Sequence, residues 1–234
     1  MLQIRFFLLI ITLNFVSVDC YSLTKPPSNK EIATSIKQAA FYYQNSDFEK
    51  SLVTARIALR QALKTKDANL IAKCYKIIGA NLEELSEFEK AIHFYKKGLF
   101  YVKNTNNDSI EYIINNHVGK IYCFEKKEYK KGINFYKSSL ENGYKLADTS
   151  IIVLAKIKIA WAFFDLGLYD KGFPYLKFIN THHKKFGDKT SAVAINMLNG
   201  MYYGSKDDRK RANASFLKGI KLGNEGNKKL DFFY

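Results

Sequence analysis

The sequence predicts an all-α protein built as a solenoid of helix-turn-helix repeats, and two ladders of small residues carry that prediction. Ala39, Gly79, Gly119, Ala160 and Gly200 recur at intervals of 40, 40, 41 and 40 residues. Ser51, Ala91, Gly132, Gly172 and Ala212 follow in register at 40, 41, 40 and 40. Self-similarity at a period of roughly 20 to 50 residues marks a stack of supersecondary units rather than one central core. A third observation is helical periodicity around the rungs, with no convincing strand pattern between them.

The first helix of each unit is justified by apolar residues three and four apart around the first ladder. These are Tyr75, Ile78 and Leu82 in the second unit, Val118 and Tyr122 in the third, and Ile159 and Phe163 in the fourth. Such spacing places them on one helix face. The second helix is justified by a large apolar residue one turn past the second ladder: Tyr95, Tyr136, Leu176 and Phe216. A small side chain on each helix lets the partner backbone approach, and the large residue fills the space beside the contact. Asp67, Asp108, Asp148 and Asp188 stand eleven or twelve residues before the first rung, with Asn227 at the same phase. Each is expected to be an N-cap, accepting a bond from a first-turn amide worth about 1 kcal/mol. Inside a unit, short segments such as Ser86-Glu87 and Lys126-Lys127-Glu128 read as turns, followed by Phe48, Phe88, Tyr129 or Tyr169 at the start of the second helix. The third unit carries its extra residue in this turn. In the fifth, Arg209 replaces the aromatic, so that pair is expected to be the most weakly closed.

With these residues in register, the chain resembles a tetratricopeptide repeat (TPR) protein over about residues 31 to 226. Gly79, Leu82 and Ala91, then Ala160, Phe163 and Gly172, then Gly200, Tyr203 and Ala212 follow the family's small, large, small pattern. Gly119, Tyr122 and Gly132 follow it with one residue added, and Ala39, Tyr42 and Ser51 follow it less closely. The period exceeds the family's usual length of about 34 residues, and the closing proline is missing; helices lengthened by about a turn would account for both. The resemblance implies a right-handed α-solenoid that binds a protein or peptide partner, with no enzymatic activity and no cofactor.

The expected organisation is a signal peptide over 1–20 and a linker over 21–30. Five helix pairs follow over 31–66, 67–107, 108–147, 148–187 and 188–226, and an incomplete sixth unit begins over 227–234. Arg5 precedes an apolar run from Phe6 to Val18, too short for a stable bilayer span but suited to export. A periplasmic, bacterial location is the expectation. Cys20 directly after the run suggests lipoprotein anchoring, but Asp19 occupies the place where that motif has a small residue. The chain stops at Tyr234, before the next rung. Two explanations stand: self-association or a partner continuing the stack at the C-terminal end, or a shortened sensor or regulatory protein. In the second, the stack would report to a DNA-binding or histidine-kinase output module, by analogy with the extracytoplasmic TPR regions of bacterial regulators.

The formal net charge is +15, nearly all of it from lysine, with arginine at only five positions. That balance disfavours nucleic acid, whose recognition exploits the guanidinium fork, and leaves an anionic membrane surface or an acidic partner matched to the charge. Cys74 and Cys123 occupy non-equivalent places in their units and read as buried thiols rather than a disulfide framework. The histidines, His93, His117, His182 and His183, show no four-residue spacing for a metal, and no phosphate-binding loop follows a strand.

The family's concave surface comes mainly from the first helices, three places before, one place after and about four places after the first rung. The resemblance therefore selects Lys76, Ala80 and Glu83, then Asn116, Lys120 and Cys123, then Ile157, Trp161 and Phe164, then Met197, Met201 and Gly204. The partner-binding residues expected from this set are Lys76, Asn116, Lys120, Ile157, Trp161, Phe164, Met197 and Met201, with the apolar end around Trp161 as the principal contact. The same apolar cluster reads equally as core between units. A carboxylate clamp of the family's chaperone-binding type is not expected: Lys76 fits it, but Ala80, His117, Leu154 and Lys158 occupy the other four positions.

Overall fold

The computed structural model describes residues 27–226 apart from 104, 106, 187 and 188. The expected signal peptide, Cys20, the caps Asp188 and Asn227, and the segment 227–234 lie outside the described residues. Ten α-helices follow one another: α1 Asn29–Gln44, α2 Phe48–Thr65, α3 Ala68–Glu84, α4 Phe88–Val102 and α5 Asp108–Lys120, then α6 Tyr129–Lys145, α7 Thr149–Asp165, α8 Tyr169–Phe186, α9 Lys189–Ser205 and α10 Arg209–Gly226. Each odd helix packs antiparallel on the even helix that follows it, and α1 meets α3, α3 meets α5 and α7 meets α9. The apolar interior is accordingly spread along the stack in three successive clusters.

The ladders are places where a large side chain lies directly on the small residue's backbone. A Cβ placed on Gly79 would lie 2.6 Å from Tyr95 ring carbons, one on Gly119 2.6 Å from Tyr136, and one on Gly200 2.4 Å from Phe216. On the second helices, Gly132 lies against the Cys123 sulfur and Gly172 against the Phe164 ring. Ser51 fits the same niche because its buried hydroxyl donates to the Ala39 carbonyl at 2.8 Å.

Helix starts follow the Asx chemistry of the sequence. The Asp67 carboxylate accepts from Leu70 N–H, and Asp148 from Ser150 and Ile151 N–H. Asp108 differs from expectation: Asn107 is the cap, accepting from Ile110 N–H, and Asp108 is the first helical residue. Its carboxylate instead accepts from Asn142 and pairs with Lys145 of α6.

Within each unit the turn passes through one left-handed residue, Ser46, Ser86, Lys127, Gly167 or Asp207, with φ between 55° and 69°. The following amide donates five residues back, as Glu87 does to the Leu82 carbonyl at 2.8 Å, which closes the first helix. The third unit corrects the expected long turn. Its extra residue is absorbed in a π-helical segment, Ile121–Glu125, and the closing bond runs six residues back, from Glu128 N–H to the Tyr122 carbonyl at 2.7 Å. An inserted residue inside a helix characteristically forms such a bulge. The fifth pair is not weakly closed: α9 and α10 touch along their lengths, and Asp208 supplies the cap through Arg211 N–H. Among the described residues, no helix is long and apolar enough to cross a membrane.

Candidate functional site

The first helices α3, α5 and α7 bring a chain of polar groups to one face. Its centre is Glu83, whose side chain is 5% exposed. One oxygen accepts from Tyr95 Oη at 2.9 Å and from His117 Nδ1 at 2.8 Å. An ionised carboxylate only accepts, so this contact fixes the proton on Nδ1. Lys120 Nζ lies 3.2 Å from the other oxygen as an ion pair without hydrogen-bond geometry. Burial alone would push the Glu83 carboxyl up, but His117, Lys120 and Tyr95 outweigh it and hold the group below the ordinary carboxylate value. His117 also stacks on Tyr95, with ring centroids 5.3 Å apart. The side chains of His117 and Lys120 remain partly exposed, at 28% and 35%.

The chain continues into the next unit. Lys158 Nζ donates to Asn116 Oδ1 at 2.6 Å and lies over the Tyr136 ring. Burial, reinforced by Lys120, lowers its pKa to about 8, with Glu83 opposing.

Toward the N-terminal end, Lys76 opens into a cavity of about 270 Å³ between α1, α3 and α5. Ile36, Leu70, Ile77 and Ile110 form apolar walls, and Lys37, Lys73 and Lys76 carry the charge. Burial and the neighbouring Lys73 lower the Lys76 pKa.

The structure thus places Lys76, Asn116 and Lys120 on the first-helix face and brings Asn116 and Lys120 into one network. It corrects two apolar assignments. Ile157 and Phe164 are 1% and 2% exposed and form the core between α7, α8 and α9. They cannot line a groove because α7, Lys156 and Lys158 apart, is apolar along most of its length, and α8 and α9 cover these two side chains. Trp161 and Met201 are half-buried against the same core, and Met197 is half-buried on α9, with its sulfur beside Gly219. The sequence marks His117 and Lys158 as failed clamp positions, His117 also as one of four histidines without metal spacing, and Tyr95 as a space-filler. Their shared signal is position: His117 and Lys158 each stand two residues before a first-ladder rung.

Cys74 and Cys123 are buried free thiols that burial pushes up to about 12, so neither is a nucleophile at neutral pH. Among the described residues, no group of three or more His, Cys, Asp or Glu side chains could hold a metal.

No known protein-family profile matches the chain, and no curated protein sequence matches it. Solved structures do match. The apo form of RapI superposes with a TM-score of 0.67 at 18% identity, over 84% of this chain and 64% of that one. BtubC from P. vanneervenii gives 0.67 at 15%, over 86% and 91%. The Rap conjugation gene regulator of plasmid pLS20, in complex with the Phr* peptide, gives 0.62 at 15%, over 87% and 56%. The chain therefore spans less than two thirds of either Rap protein. With the helix pairs above, these likenesses define a TPR-like fold, a right-handed all-α solenoid.

Proposed function

We propose that this protein is a non-enzymatic scaffold of the cell envelope that holds a peptide or helix of a partner protein along its first-helix face. The observation that carries the reading is the Glu83 network. A nearly buried carboxylate fixes the partly exposed His117 and Lys120 in place before any partner arrives, and Asn116 is fixed in turn by Lys158. Groups held in one geometry lose little freedom on binding, which is how a shallow surface gains affinity. Trp161, half-buried one turn past Lys158, supplies apolar area beside them. The similarly folded pLS20 regulator, solved in complex with a peptide, supports the same use of the fold. The envelope location rests on the sequence from Arg5 to Val18, and N-terminal sequencing that finds a mature chain starting near residue 21 is its test.

The binding test is a display screen of random dodecapeptides against the full chain, followed by anisotropy titration of the enriched peptides. Asn116→Ala with Lys120→Ala is expected to weaken them about tenfold, as removal of central interface contacts does. Phe100→Ala, at an exposed position on α4, is expected to leave them unchanged. Enriched peptides that respond to Phe100 and ignore Asn116 and Lys120 would refute the assignment.

A further inference from the structure

We infer that the cavity between α1, α3 and α5 is a receptor site for an acidic side chain next to an aliphatic one in the bound peptide; this rests on the peptide-scaffold reading above. The chain pairs its units electrostatically in a regular way. Lys120 meets Glu83, Lys126 meets Glu89, Lys145 meets Asp108 and Lys206 meets Asp170, each ammonium finding a carboxylate 36 or 37 residues earlier. At those intervals before Lys73 stand Lys37 and Ile36, and before Lys76 stand Ala40 and Ala39. The first unit therefore offers the lysines of the second one further ammonium and three apolar side chains. Among the described residues, Lys37, Lys73 and Lys76 form no ion pair, and no carboxylate lines the cavity.

The chemistry of the missing group follows from the walls. Three ammonium groups from two adjacent helices favour an anion, and Lys76, desolvated and next to Lys73, gains most from one. Ile36, Leu70, Ile77 and Ile110 require the carrier of that anion to bring apolar surface as well. At about 270 Å³ the cavity falls below the size of sites that enclose cofactor-sized ligands. It suits one or two amino-acid side chains, and its compact lysines, rather than arginine forks, match a carboxylate better than a tracked polyphosphate.

The test uses the full chain and two fluorescein-labelled pools of random dodecapeptides, one with a fixed central Leu-Glu and the other with Leu-Gln. The Leu-Glu pool is expected to bind about tenfold more tightly, the size of one charge-assisted contact. K37Q/K73Q/K76Q should abolish that difference, and K73Q alone should reduce it. K130Q/K137Q/K171Q removes the same charge from exposed positions elsewhere and should leave it intact. Equal binding of the two pools, or equal loss in the control variant, overturns the site. Vesicles rich in phosphatidylserine form a separate arm: binding to them that depends on Lys37, Lys73 and Lys76, with no peptide preference, overturns the peptide in favour of a membrane. If both pools bind alike but Trp161→Ala weakens them, the scaffold survives and the acid site falls. If neither pool binds, both readings fall.

Discussion

Tyr95 and Tyr136 occupy the same place in successive units, yet changing each to phenylalanine should move stability in opposite directions. Both rings lie flat against a first-ladder glycine, and both are almost fully buried, at 0% and 1% exposure. They differ at the hydroxyl. Tyr95 donates to Glu83 at 2.9 Å, whereas the Tyr136 hydroxyl has no hydrogen-bond partner among the described residues. The cause lies four residues past the rung, where the second unit has Glu83 and the third has Cys123. A hydrogen bond to a charged group contributes about 1.5–3 kcal/mol, and a buried polar group left unpaired costs about 1–3 kcal/mol. Tyr95→Phe removes such a bond, but Glu83 keeps His117 and Lys120, so a loss of about 2 kcal/mol is expected. Tyr136→Phe removes an unpaired hydroxyl and leaves the ring packing in place, for a gain of about 1 kcal/mol. Urea unfolding followed by far-UV circular dichroism reads the difference as a shift in midpoint at constant slope. Equal destabilisation by the two substitutions would refute the reasoning, because it would mean that ring packing alone decides the cost.

Gly119→Ala should destabilise by up to about 2 kcal/mol, since overpacking against Tyr136 costs about 1–3 and the helix gains about 1 from alanine. Gly204→Ala, where a Cβ meets nothing within 4 Å, should instead stabilise by up to about 1 kcal/mol; thermal melts of the two variants check the opposite signs. Lys158 predicts a pH effect. Folded, it releases its proton from about 8, while the unfolded chain holds it to its ordinary 10.5. Between these values the unfolded state binds more protons, so stability should rise with pH above about 8. The window closes near 9, where the Cys74 and Cys123 thiols of the unfolded chain ionise while the buried ones, pushed up to about 12, do not; above it the stability should fall again. Urea midpoints between about pH 8 and 9 should climb more steeply in the wild type than in Lys158→Met, which keeps only the contribution of the lowered Lys76; a parallel climb in both would assign the effect elsewhere.

The fold was legible because its cause is short-range and repeated. A small residue every 40 or 41 positions, with a large apolar side chain one turn past its partner rung, states the helix contact directly, and the structure seats Tyr95, Tyr136 and Phe216 on the three glycines of the first ladder. The period counts residues, however, and does not locate them. It registered the extra residue of the third unit without distinguishing a longer turn from the π segment at Ile121–Glu125. Asp108 was misassigned for a related reason: Asn107 beside it has equal capping chemistry, and the choice depends on how Asp108 meets Asn142 and Lys145 of α6.

The candidate site was legible only in its polar half. Asn116 and Lys120 came from register alone, but their partners Glu83 and Lys158 belong to neighbouring units, so the contacts depend on the rotation between units, which no repeat length encodes. Ile157 and Phe164 show the converse. On an amphipathic helix those positions would face outward, but α7 is apolar along most of its length and its neighbours cover them.

One register position explains why a repetitive scaffold has a non-repetitive surface. Four residues past the first rung stand Glu83, Cys123, Phe164 and Gly204. Glu83 organises a charged network, and Cys123 fills the space over Gly132 while leaving Tyr136 unpaired. Phe164 takes over the gap-filling role against Gly172, which lets Leu176 replace the second-helix aromatic, and Gly204 leaves the position empty. The ladder fixes where the helices meet and is indifferent to what this position holds. Selection can therefore change the chemistry of the binding face one unit at a time without disturbing the stack, and the second and third units, where Glu83 meets His117 and Lys120, are where this chain has placed its preorganised polar groups.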